Sequence, residues 1–183
     1  STAVYLPFEE AKTKKYQIDW HSVDIPSPAG IGQQSCQSVS LSDIVEVFDW
    51  SPFFHAWELR GVFPKILEHS NHGEEARRLY DDARKILDDL VENERVLARA
   101  TWGIWPAHSN GEDIELFSDE NRSERLTTFH FLRQQKEKIK EDSPYQSLAD
   151  FVAPAGSGRK DYLGAFAVTA GNEVEEYAKT FKD

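Results

Sequence analysis

The chain has 183 residues and a mass of 20.9 kDa, which suits about one domain and is long enough to bury a core. Its 21 Lys and Arg against 32 Asp and Glu leave a formal charge of −11, which argues against a nucleic-acid backbone or an anionic membrane as the main partner. A single cysteine, Cys36, excludes an internal disulfide framework and any multi-cysteine zinc or iron–sulfur site and fits a reducing compartment.

In chain order, residues 1–40 read as an extended connector: Lys12, Lys14 and Lys15 are basic, Pro26 and Pro28 break any helix, and the stretch from Gly30 to Ser40 is small and polar. From Leu41 the texture changes, with Ile44, Val45 and Phe48 at helical spacing behind Ser40 or Ser42 as a cap. Ser51-Pro52 looks like a second helix start, with the body over 53–59. The clearest element spans 74–92, where Leu79, Ala83, Ile86, Leu87 and Leu90 fall on one stripe amid charge, an amphipathic helix expected to cover a sheet. Segments 98–106 and 113–117 are β-like and separated by a Ser-Asn-Gly-Glu turn, which predicts a hairpin. A third strand is expected over 126–131, the best buried strand over 161–169, and a short helix over 174–182. Helices and strands are segregated, so the predicted class is α+β with an antiparallel sheet and helices packed on it.

No apolar run approaches the roughly 18 residues that span a bilayer, and the N-terminus lacks a basic segment followed by an apolar one. The expectation is a soluble, cytoplasmic chain with neither membrane nor nucleic acid as partner. The chain contains no methionine and begins at Ser1, which reads as a segment of something longer.

Few constellations carry chemistry. His69-x-x-His72, near His55 and Glu58, is the best metal candidate, but it lacks the HExxH order and an obvious third ligand, so a solvated loop is the better reading. Residues 156–160, Gly-Ser-Gly-Arg-Lys, resemble a phosphate loop in composition only. Cys36 with His21 has no nucleophile signature around it. Asp49 is more informative, because it sits in Phe48-Asp49-Trp50-Ser51-Pro52-Phe53-Phe54. Its carboxylate could receive a ligand's ammonium group while Trp50, Phe53 and Phe54 exclude water, or it could cap a helix. Trp102 and Trp105 suit either core packing or an aromatic pocket wall.

Five segments together point to a family: Asp49-Trp50-x-Pro52-Phe53-Phe54; Gly73-x-Glu75-Ala76-x-x-Leu79-Tyr80-x-Asp82-Ala83; Leu132-Arg133-Gln134-Gln135; Ala149-Asp150-Phe151-Val152-Ala153-Pro154; and Asp161-Tyr162-Leu163-Gly164-Ala165-Phe166-Ala167-Val168. In this order, across residues 41–183, they resemble the activation domain of cobalamin-dependent methionine synthase. Residues 1–40 then look like the linker that follows the cobalamin-binding module.

The resemblance implies a module of a methyltransferase that binds S-adenosylmethionine and presents it to cobalamin oxidised to the cob(II)alamin state. Flavodoxin or a flavin reductase would supply the electron. It places Asp49 on the bound S-adenosylmethionine and assigns no catalytic residue and no metal ligand to this chain. Cobalamin and zinc would be held by other modules of the parent enzyme. The family's domain continues for well over a hundred residues past the point matching Asp183, including an Arg-x-x-x-Gly-Tyr-Pro segment that supplies most of the ligand site. The chain is therefore expected to hold the N-terminal part of the domain, inactive alone. The alternative is a non-catalytic interaction module that docks on a cobalamin-binding domain without binding the methyl donor.

Overall fold

A computed structural model of the chain describes residues 3–140 and 142–181. In order, the elements are α1 (Phe8–Thr13), β1 (Gly32–Val39), α2 (Leu41–Glu46), α3 (Trp50–Ala56), a one-turn 3-10 helix (Lys65–Glu68), α4 (Gly73–Glu92), β2 (Ala98–Asn110), β3 (Asp113–Phe117), β4 (Arg125–His130), a second 3-10 turn (Leu148–Phe151), β5 (Asp161–Thr169) and α5 (Glu173–Ala178). The strands form one sheet in the order β1-β2-β3-β4, with β5 also paired to β2. The class is α+β, as expected. Lys182 and Asp183, at the end of the expected last helix and of the domain span, lie outside the described residues.

Local chemistry explains most boundaries. Ser40 Oγ accepts from the Asp43 N–H and caps α2, satisfying one of the free donors of its first turn. The β2–β3 hairpin pairs Asn110 with Asp113 and Ala107 with Leu116. Its turn is only Gly111-Glu112, with Gly111 at φ 64, a conformation glycine adopts without steric cost. The expected Ser-Asn-Gly-Glu loop is thus half strand, and β2 runs four residues past Pro106. β3 pairs antiparallel with β4, with an irregularity at Leu116/Phe117.

Two compact units are built from discontinuous segments: residues 1–34 with 102–166, and residues 35–101 with 167–183. The first has a core of Ala107, Ile114, Leu116, Ala149 and Val152, with Trp105, Phe131 and Leu163 packed on it. Within it, an ideal Cβ on Gly103 would lie 2.3 Å from the Trp105 ring and 2.9 Å from the Gly32 carbonyl oxygen, so the indole and β1 occupy the space a side chain would need. The second has a core of Trp50, Phe54, Leu59, Ile66 and Ala76, against which Leu79, Tyr80, Ala83 and Leu87 of α4 pack. The α4 stripe therefore meets α3 and the first 3-10 turn, where the sequence predicted a sheet beneath it.

Three further expectations need correction. The strand at 161–169 has the predicted bounds but is not buried, since its last six residues are exposed, with Phe166 at 79% and Val168 at 69%. Period and hydrophobicity identify a strand; they do not say whether a neighbour covers it. α3 starts at Trp50, and its cap is Asp49 rather than Ser51. The few contacts expected of residues 1–40 do not describe the segment either. Leu6 N–H donates to Gln135, Lys14 O accepts from Tyr145 N–H, Glu137 N–H donates to Val4, Arg159 donates to the Val23 carbonyl and Ala11 is fully buried. These bonds use backbone groups, which composition does not reveal.

Candidate functional site

Asp49 has extended backbone torsions (φ −84°, ψ 109°), and its Oδ1 accepts from the Ser51 N–H at 3.0 Å. Ser51 does not cap; its hydroxyl accepts from the Phe63 N–H at 3.3 Å and ties α3 to the 61–64 loop. The residue after Asp49, Trp50, is buried at the centre of an aromatic cluster. Trp50 packs edge-on against Tyr80 (4.6 Å between centroids) and Phe53 (5.5 Å), and tilted against Phe48 (4.9 Å); such geometries favour aromatic pairs beyond area burial. Asp49 itself is exposed. The structure thus realises the capping role and leaves Oδ2 directed to solvent without a partner among the described residues.

The other candidates resolve separately. The His69 and His72 rings stack with centroids 5.0 Å apart, and His69 Nδ1 is engaged by the Asn71 N–H. Among the described residues no group of three or more His, Cys, Asp or Glu is arranged to hold a metal ion. The 156–160 loop contains Gly156 and Gly158 at positive φ and leads into β5, not into a helix. The Cys36 thiol donates to the Ser38 carbonyl two residues on. Trp105 packs on the first unit's core, while Trp102 is 40% exposed. No helix among the described residues is long and apolar enough to cross a membrane.

Sequence reasoning missed an ionic cluster in the first unit. The Arg133 guanidinium bonds Asp150 through two nitrogens (2.7 and 2.6 Å), pairs with Glu112 at 2.8 Å and donates to the Tyr145 carbonyl. The three side chains are 0%, 4% and 16% exposed. Burial pushes the Asp150 carboxyl up, but the Arg133 hydrogen bonds, the Ser147 N–H and the guanidinium charge hold it below its ordinary value. The same cluster keeps Arg133 protonated more firmly, chiefly through Asp150. On the hairpin, Glu115 is likewise lowered, first by its bond to His108 at 2.8 Å and then by Arg125.

The five segments singled out from the sequence meet in these cores. Within the first unit, Arg133 of the third joins Asp150 of the fourth, and Ala153 N–H of the fourth donates to Asp161 Oδ2 of the fifth at 2.8 Å. Within the second unit, Trp50 of the first packs on Tyr80 of the second. The signal that could have exposed the cluster was Arg133 and Asp150 themselves, charged residues embedded in otherwise apolar or amide-rich motifs.

A sheet-bearing unit with a buried charged triad, and a unit with an aromatic helix pair, make up an α+β chain with no group of three or more metal-ligating side chains among its described residues. The family model described as vitamin B12 dependent methionine synthase, activation domain, matches residues 40–183, and the chain belongs to that family. A crystal structure of the MetH reactivation domain bound to AdoHcy is similar to it, with a TM-score of 0.83 and 39% sequence identity over 97% of this chain and 54% of that one. The chain spans about half the length of that structure.

Proposed function

We propose that the chain is part of a reactivation module that binds S-adenosylmethionine and offers its methyl group to cobalamin held by a neighbouring module of a methionine synthase. The observation that carries this reading is the 39% identity, over nearly the whole chain, to a reactivation domain solved with AdoHcy. Residues 1–40 would serve as the connection from the cobalamin-binding module, a boundary supported by the family match beginning at residue 40. Cobalamin supplies the metal that accepts the methyl group after a one-electron reduction, for which flavodoxin or a flavin reductase is the source.

Asp49 is the residue of this chain assigned to the ligand. Its Oδ1 is fixed by the Ser51 N–H, which orients Oδ2 as the acceptor for the ligand's ammonium group, and the buried Trp50 and Phe54 hold α3 in place. An ammonium on Oδ2 leaves the cap intact, so the two roles are compatible. The net charge of −11 also favours a ligand that carries a sulfonium and an ammonium against one carboxylate.

Calorimetry tests the reading on this chain, on a form extended to the length of the matched domain, and on the extended form with Asp49→Asn. The expected result is binding by the extended form and a loss of about 1.5–3 kcal/mol on Asp49→Asn, the range for a hydrogen bond to a charged group. Equal affinity of the two extended forms would leave Asp49 as a cap only. Failure of the extended form to bind would favour the second reading, a module that docks on a cobalamin-binding domain without the methyl donor; the exposure of Asp49 in this chain is the observation on its side.

A further inference from the structure

Ser51 makes one hydrogen bond from its backbone and one through its side chain. Its N–H donates to Asp49 Oδ1 at 3.0 Å, and its hydroxyl accepts from the Phe63 N–H at 3.3 Å. The second partner is firmly placed. The Phe63 ring stacks on Phe54 and on Tyr80, with centroids 6.3 and 5.3 Å apart. Two residues earlier, an ideal Cβ on Gly61 would lie 3.0 Å from Ile66 Cγ1, and Ile66 is only 2% exposed, so this loop rests directly on a buried side chain.

α3 meets the same loop again one turn further on. His55 Nε2 bonds the Gly61 carbonyl at 3.1 Å; a carbonyl only accepts, so that nitrogen carries the proton. Ser51 and His55 are four residues apart and share one side of the helix, while the buried Trp50 and Phe54 form the adjoining stripe. Burial of that stripe is non-directional; the two hydrogen bonds add direction and hold the helix against turning about its axis. Asp49 inherits this placement. The Ser51 N–H is the only hydrogen-bond donor to its carboxylate among the described residues, so the direction of the carboxylate follows the position of residue 51, and residue 51 is held to the core through its hydroxyl.

We propose that Ser51 is a positioning residue for the ligand carboxylate of Asp49, its hydroxyl carrying the placement of the core-anchored loop to the group that meets the ligand. The inference rests on the ligand reading of Asp49 given above and adds the residue that aims it. A hydroxyl that only satisfied the Phe63 N–H would contribute stability without being coupled to Asp49, and that coupling is measurable.

Titration calorimetry with S-adenosylmethionine tests it on the chain extended to the length of the matched domain, in the parent form and as S51A, S51T, D49N and S51A/D49N. S51A should weaken binding about two- to ten-fold, the worth of one neutral hydrogen bond. S51T keeps the acceptor and should bind as the parent does. D49N keeps a cap but removes the charge, so adding S51A to it should weaken binding no further; a double-mutant cycle isolates this coupling. Circular dichroism of each variant separates lost aim from lost folding. S51A binding like the parent while D49N is weakened would overturn this inference and leave the ligand reading standing. Losses that add in the double variant, or S51T as weak as S51A, would also overturn it, by making Ser51 a structural partner of Phe63 alone. D49N indistinguishable from the parent, or an extended form that does not bind, would overturn the ligand reading and this inference with it.

Discussion

Replacing Arg133 with Met removes the cation but keeps most of its volume, leaving Asp150 and Glu112 facing each other from positions 4% and 16% exposed. Removing one partner of a buried pair costs about 3–5 kcal/mol, because the remaining charge is left uncompensated; here two carboxylates remain, which favours the upper part of that range. Against a domain stability of about 5–15 kcal/mol, the variant should melt far earlier in urea at neutral pH. The double variant R133M/D150N should recover part of the loss, since an amide at 150 can still accept from the Ser147 N–H while the buried charge falls by one. The pH dependence has a definite sign. A carboxyl whose folded pKa is depressed contributes stability that is complete above its unfolded value, near 4, and is lost as pH falls through the lower folded value. The wild-type chain should therefore weaken below about pH 4, whereas R133M, whose stranded carboxylates gain by protonation, should not, so the gap between them narrows in acid. A loss under about 1 kcal/mol for R133M at neutral pH, or a double variant no better than the single, would mean that water reaches the cluster and that the burial argument fails.

Three further outcomes follow from the packing. Leu87 is only half-buried, so Leu87→Ala should cost about 1–2 kcal/mol in urea denaturation, while Phe54→Ala, at a fully buried site, should cost about 3–5. Asp49→Ala should lose about 1 kcal/mol of stability and Asp49→Asn almost none, because Asn caps as well as Asp; thermal melts of the two variants separate the cap from any ligand role. Gly103→Ala should destabilise by about 1–3 kcal/mol, since its Cβ would press on the Trp105 ring and on the Gly32 carbonyl, and an unchanged melting temperature would show that β1 can move away.

What the sequence disclosed, and what it hid, follows the range of the interactions. α4 and β3 were legible almost to the residue, because amphipathic period and turn residues are local properties. The cap of α3 was open between Asp49 and Ser51 for the same reason: both are good caps two residues apart, and only the backbone torsion of Asp49 decides. β5 was legible as a strand and misread as buried, because burial depends on what lies against it. The attachment of residues 4–23 was hidden, since the groups that hold it are carbonyls and N–H groups paired with residues more than a hundred positions away, such as Leu6 with Gln135. The Arg133 cluster was hidden in the same way, its three side chains coming from a hairpin turn, a loop and a 3-10 turn. At the candidate site, Asp49 was visible as a residue, and its exposure was not.

The interleaving of the two units has a kinetic consequence. The chain leaves one unit for the other at 34/35, 101/102 and 166/167, inside β1, β2 and β5 respectively. Neither unit is a continuous stretch: one awaits residue 166 to close on its first 34 residues, and the other awaits the segment after 167. Long-range loop closure must precede the contacts that complete each unit, which predicts slow folding for a segment of this size and strands that stay unpaired until those closures occur.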